Sequence, residues 1–140
     1  MTNRIVGLVV FGLLLGSMVG MADHSESEKT ACTSAEKWLA IVDDEKYAES
    51  WKEAAEYFRN AVKQEKWTES MLAFRKPLGK LGSRKMKSTS YKTSLPGAPD
   101  GEYVIIQFET SFANKNNTIE TVTMMMDKDG KWRVTGYFIK

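Results

Sequence analysis

The sequence predicts an α+β domain: three N-terminal helices packed on a curved four-stranded antiparallel sheet. Three observations carry this. Apolar residues recur at helical spacing in the first half of the chain and alternate from about residue 84 onward. Pro77 and Gly79 stand at the change, where proline lacks the helical N–H and glycine favours a helix end. The last forty residues are rich in Val, Ile, Phe, Tyr and Thr, which suit a pleated, half-buried surface.

The chain opens differently. Arg4 precedes the uncharged run IVGLVVFGLLLGSMVG, whose last residue, Gly20, forms with Ala22 the small-residue pair a cleavage site requires. Residues 1–22 are therefore expected to be a secretory signal. The mature protein is expected to be periplasmic or extracellular, with no stable membrane association after cleavage. The alternative is an uncleaved anchor helix, since the run approaches the length that spans about 30 Å of hydrocarbon. Cys32 follows KTA rather than an apolar box directly behind the run, which argues against lipid attachment and leaves a lone thiol. Residues 23–32 are polar and read as a flexible tail. Residues 33–140, in a chain 42% hydrophobic and 27% charged, then form a single domain.

The first helix is expected to begin at TSAE, a capping box in which the Thr33 hydroxyl serves early amides and Glu36 reaches back. Ala35, Trp38, Leu39 and Val42 follow at helical spacing, and DDEK ends the helix. Tyr47, Trp51, Ala54, Ala55, Phe58 and Val62 make one apolar stripe, read as a single second helix. The third runs from about Trp67 through Met71 and Phe74. Aromatic side chains at this spacing are core rather than a ligand box.

The strand expected over residues 84–94 is polar and lysine-rich, which suits a sheet edge. LPGAPDG is a loop, and strands follow over 102–113, 118–127 and 131–139. Side chains alternate faces along a strand, so neighbouring strands must agree on the apolar face. Even positions are expected inward: Val104, Ile106, Phe108, Thr110 and Phe112; Glu120, Val122, Met124 and Met126; Trp132, Val134, Gly136 and Phe138. Glu109, Thr121 and Tyr137 then face outward, toward water or a second copy, so a homodimer through the outer sheet face is one expected assembly. A KDG turn with Gly130 left-handed sets Asp127 opposite Lys131, and ANKNN lets Phe112 meet Thr118.

Parity splits the two glutamates that might otherwise act together: Glu109 lies outside and Glu120 inside. A carboxylate on an apolar face is costly unless compensated. Thr110 is its expected cross-strand neighbour, Arg75 its expected counter-ion, and Gly136 the residue that leaves room. Glu120, Thr110, Arg75 and Gly136 are the candidate ligand-binding residues; no catalytic or metal-binding residue is assigned. The sole histidine, His24, lies in the expected tail, so no His-based triad or His-bearing metal site is expected in the domain. Without CxxC or a glycine-rich phosphate loop, no cofactor is expected. Loss of Arg4 with the signal leaves a formal charge of +1, from 20 basic residues less that one against 18 acidic. That balance gives no footprint for nucleic acid. KPLGKLGSRKMK is basic but lacks interleaved aromatics, and is read as a solvated turn and strand entrance. The expected partner is an unidentified small molecule or protein.

The motifs WLAIVDDEKYAESW, AAEYFRNAV, FRKPLG, LPGAPDGEYVIIQFETSFANK and ETVTMMMDKDGKWRVTGYFIK cover nearly all of the mature chain. They resemble a family of small secreted bacterial proteins known only as a domain of unknown function. The order of helices, then sheet, is similar to the nuclear-transport-factor-2-like (cystatin-like) cone. The family resemblance implies no activity, and the cone hosts isomerases, dehydratases and non-catalytic modules alike. Two functions are expected on this basis. The first is an exported, non-catalytic binding module. The alternative is a cone-fold isomerase or dehydratase with Glu120 as general base and Tyr57 or Tyr137 as oxyanion donor.

Overall fold

The computed structural model describes residues 24–140; the expected signal segment, residues 1–22, lies outside them. Residues 24–43 form one helix, α1, where a flexible tail was expected up to residue 32. Tertiary contacts explain the difference. Ala31 and Cys32 are buried in the core, the Thr89 hydroxyl donates to Glu28 at 2.7 Å, and His24 stacks on Tyr91 at 4.3 Å. Thr33 is therefore interior to the helix, and its hydroxyl donates to the Lys29 carbonyl at 3.2 Å instead of capping. Burial, aided by the Glu36 and Glu28 carboxylates, pushes the Cys32 thiol up to about 11. A thiol held neutral in this way is a packing group.

Three further helices follow: α2 (Tyr47–Lys52), α3 (Glu56–Ala61) and α4 (Gln64–Phe74). Among the described residues the helices number four, because the stripe read as one helix breaks at Ala55, whose backbone is extended (φ −60, ψ 148). Its N–H donates to the Val134 carbonyl at 2.8 Å, a bond a continuous helix would forfeit. The Trp51 indole N–H donates to the Val62 carbonyl at 2.7 Å and ties the two pieces together. In α4, Trp67 and Met71 are buried, whereas Phe74 is 76% exposed. A 3-10 turn over Lys76–Leu78 carries Pro77, and Gly79 (φ 81) ends it.

Four strands complete the domain: β1 (Leu81–Lys92), β2 (Tyr103–Phe112), β3 (Lys115–Met126) and β4 (Trp132–Ile139). They form one antiparallel sheet in the order β1-β2-β3-β4, so the lysine-rich strand is an edge, as its composition implies. The expected inner positions of β2 are all buried, as are Glu120, Val122 and Met124 of β3. Trp38, Leu39 and Val42 join Ile106, Phe108, Val122 and Met124 in one core cluster. Asp127 N–H donates to the Lys131 carbonyl at 2.9 Å and Gly130 has φ 81, as the KDG turn requires. The β2–β3 turn is tighter than expected: Phe112 faces Lys115, and Thr118 faces Thr110.

β4 departs from simple alternation. The register shifts between Thr123 and Met124, which pair with Gly136 and Val134, so Thr135 is an extra residue. Such a bulge uses up one step of alternation. Beyond it Tyr137 lies opposite Val122 and Phe138 opposite Thr121. The expected facing is thus reversed: Tyr137 turns inward, while Phe138 turns outward and is 57% exposed.

The β3–β4 hairpin carries its own ion pair. Arg133 donates to both Asp129 oxygens at 2.7 Å and to Asp127 at 3.2 Å. The Arg133 hydrogen bonds lower the Asp129 carboxyl from 3.8 to about 2. With the folded value depressed, the hairpin's contribution is complete above 3.8 and is lost as pH falls toward 2. An NMR titration of the Asp129 side-chain carbonyl is expected to show a midpoint near 2, moving back toward 3.8 in Arg133→Ala. Identical midpoints in the two proteins would remove the ion pair from this account.

Candidate functional site

Glu120 is completely buried, and the residues that compensate it come from every layer of the fold. β1 contributes Arg84, whose Nε donates to Glu120 Oε1 at 2.7 Å. β2 contributes Thr110, whose hydroxyl donates to the same oxygen at 2.6 Å. β4 contributes Tyr137, whose hydroxyl donates to Oε2 at 2.5 Å. Arg84 also reaches the last residue of α1: its terminal nitrogens donate to the two Asp43 oxygens at 2.7 and 3.0 Å. Arg75, at the end of α4, donates to Asp43 at 3.3 Å and to the Gly79 carbonyl at 2.7 Å. Two guanidiniums and two carboxylates thus balance in one partly and fully buried lattice.

The electrostatics follow from these bonds. Burial works to lower the Arg84 pKa, but the hydrogen bonds to Asp43 and Glu120 outweigh it and raise the group further. Arg84 therefore stays cationic inside the protein. Burial, followed by the charge of Glu120, pushes the Tyr137 phenol far above its ordinary value, so it remains neutral and donates. Glu120 receives three donors and exposes no surface. Chemically this arrangement clamps a charge in place; with no exposed surface, Glu120 presents neither oxygen to a reacting molecule.

Of the four expected site residues, the structure brings Thr110 to Glu120 and separates the other two. Thr110 faces Thr118 and reaches Glu120 diagonally, since Glu120 lies opposite Phe108. Arg75 pairs with Asp43, and its guanidinium sits 4.3 Å from the centre of the Phe112 ring. Its Nε is buried without an acceptor among the described residues. Gly136 lies beyond the bulge, where an added Cβ would meet the Thr123 side chain at 3.4 Å; it leaves no room at Glu120. Glu109 is exposed and lies opposite Lys85 and Ile119, well apart from Glu120 as parity requires.

Arg84 and Asp43 were not among the expected site residues, and Tyr137 entered only as an oxyanion donor of the alternative reading, on a strand position expected to face outward. A signal existed for Arg84: extending even-with-even parity to β1 sets it opposite Thr110, on the face of Glu120. For Tyr137 the signal was Gly136, since glycine inside a strand often marks a bulge. Asp43 carried none beyond ending a helix.

The open concavities lie beside Glu120 rather than at it, and a small one of about 110 Å³ borders Asp43 and Arg75. A groove of about 480 Å³ runs between α4 and the end of β4, lined by Trp67, Met71, Phe74, Phe138, Ile139 and Lys115 among others. Tyr137 also lines it, with its hydroxyl turned to Glu120. A second groove, of about 370 Å³, lies between α1 and the β3–β4 hairpin, where Lys37, Lys131 and Arg133 mix with Trp38 and Trp132. Among the described residues, no three His, Cys, Asp or Glu side chains come together as a metal site would need.

A protein-family model described as "Protein of unknown function (DUF4019)" matches residues 34–137. No curated protein and no solved structure matches the chain.

Proposed function

Because the chain belongs to the DUF4019 family of proteins of unknown function, we propose its role from its own geometry: an exported, non-catalytic module that binds a small molecule or a protein segment between α4 and β4. One contrast carries this reading. Among the described residues, the only carboxylate buried on the inner face is sealed by three donors, while the groove beside it is open and apolar, with Phe74 and Phe138 exposed at its rim. Ligand sites are typically concave and mostly apolar, with a few placed polar groups, and Lys115 supplies one here. An isomerase or dehydratase needs a base within reach of substrate, and Glu120 has no exposed surface to offer. We read the helices-then-meander order as a cystatin-like cone, and export from Arg4 and the apolar run behind it. Among the described residues no helix is long and apolar enough to cross a membrane.

The test uses 1-anilinonaphthalene-8-sulfonate, whose rings suit the groove and whose sulfonate suits Lys115. Saturable one-to-one binding is expected, with energy transfer from Trp67. Ala73→Glu, an exposed change in the groove lining, is expected to weaken it about tenfold, or 1.4 kcal/mol. Glu120→Gln is expected to leave it nearly unchanged. Binding indifferent to Ala73→Glu would refute the groove as the site.

A further inference from the structure

Sheet edges carry unpaired backbone groups, and the two edges here are treated differently. β1 bears Arg84, Lys85, Lys87 and Lys92, and charge of this kind blocks the addition of another strand. The end of β4 reads Thr135-Gly136-Tyr137-Phe138-Ile139, with no charge at all.

Among the described residues, the β4 edge is used once, through the Ala55 N–H on the Val134 carbonyl. Beyond that point the edge is open. Lys140 and Ile119 exchange both backbone bonds, at 2.9 and 3.1 Å, so they are a hydrogen-bonded pair. Alternation makes Phe138–Thr121 and Gly136–Thr123 the next such pairs. The N–H and C=O of Tyr137 and Ile139 consequently point away from β3, and no described residue outside the ladder bonds to them. The apolar groove lies directly alongside, lined by Phe138 and Ile139 on one side and Phe74 on the other. Its lining includes two cations, Lys115 and Arg75, and no carboxylate.

We propose that β4 is a strand-addition site: an extended segment of a partner polypeptide pairs with Tyr137 and Ile139, sets alternate apolar side chains in the groove, and places an acidic group at Lys115. This rests on the groove reading above and narrows its occupant to a polypeptide. Backbone bonds supply affinity that is independent of sequence, while the groove and Lys115 select the side chains.

The experiment is selection of a random-peptide display library on the full chain, followed by titration of the best synthetic peptide. Enriched peptides are expected to alternate apolar residues and to include a carboxylate. Ile139→Pro removes an outward N–H and spares the ladder; it is expected to weaken the peptide at least about tenfold. Lys115→Glu, at an exposed position, decides the matter independently if the proline variant fails to fold, and is expected to produce a similar loss. No enrichment, or a peptide affinity untouched by both changes, overturns strand addition; dye binding sensitive to Ala73→Glu would leave the groove reading standing in that case. Sedimentation showing a dimer that Ile139→Pro splits would assign the edge to a second copy and overturn the proposal as well.

Discussion

Arg84→Met is expected to lower folding stability by about 3–5 kcal/mol, the range for removing one partner of a buried ion pair. Methionine keeps much of the side-chain volume but none of the donors. Among the described residues, Glu120 then loses the one cation that touches it, and Asp43 keeps its longer contact with Arg75 at 3.3 Å. The large effect comes from charge left behind on the fully buried Glu120, rather than from the strength of one hydrogen bond. Glu120→Gln is the milder change, because its amide oxygen still accepts from Arg84 and Thr110. Urea unfolding followed by tryptophan fluorescence measures both. A loss below about 1 kcal/mol for Arg84→Met, typical of exposed pairs, would mean the lattice is solvated and carries little.

Trp38→Ala is expected to cost a similar amount, about 3–5 kcal/mol, as for other buried aromatic truncations. Trp38 is buried on α1, and its indole N–H donates to the Ser50 carbonyl at 2.9 Å. Its ring meets Tyr137 edge-on at 5.2 Å and Trp67 at 6.1 Å. Truncation therefore opens a void, strands the Ser50 carbonyl, and takes away a wall that holds Tyr137 over Glu120. Thermal unfolding is the direct check. A small loss would show that α1 is not bound to the sheet through this ring.

Much of the architecture was legible because periodicity and parity are local properties. The even residues of β2 and the first buried residues of β3 needed only alternation, and the KDG turn needed only Gly130. The failures came where a distant backbone group decided the outcome. The spacing from Tyr47 to Val62 fits one helix, yet Ala55 leaves it to bond Val134. The stretch before Thr33 is polar, yet contacts from Thr89 and Tyr91 draw it into α1. One extra residue at Thr135 exchanged the roles of Tyr137 and Phe138. The counter-ion was misassigned for a related reason: Arg75 and Arg84 are chemically alike, and the choice between them depended on extending strand parity to β1.

The charge lattice also governs how the protein comes apart. Its bonds join residues 32, 36 and 41 positions apart in the chain, so the lattice is complete only after the strands have paired and α1 and α4 have docked on them. Long-range contacts of this kind are reached after the entropy of closure has been spent. Until then guanidiniums and carboxylates stay hydrated, and their mutual attraction belongs to the native state more than to the barrier. Loss of Arg84 accordingly falls on the unfolding rate and leaves refolding nearly untouched. The lattice then acts as a kinetic latch, and its worth is measured in survival time against irreversible loss.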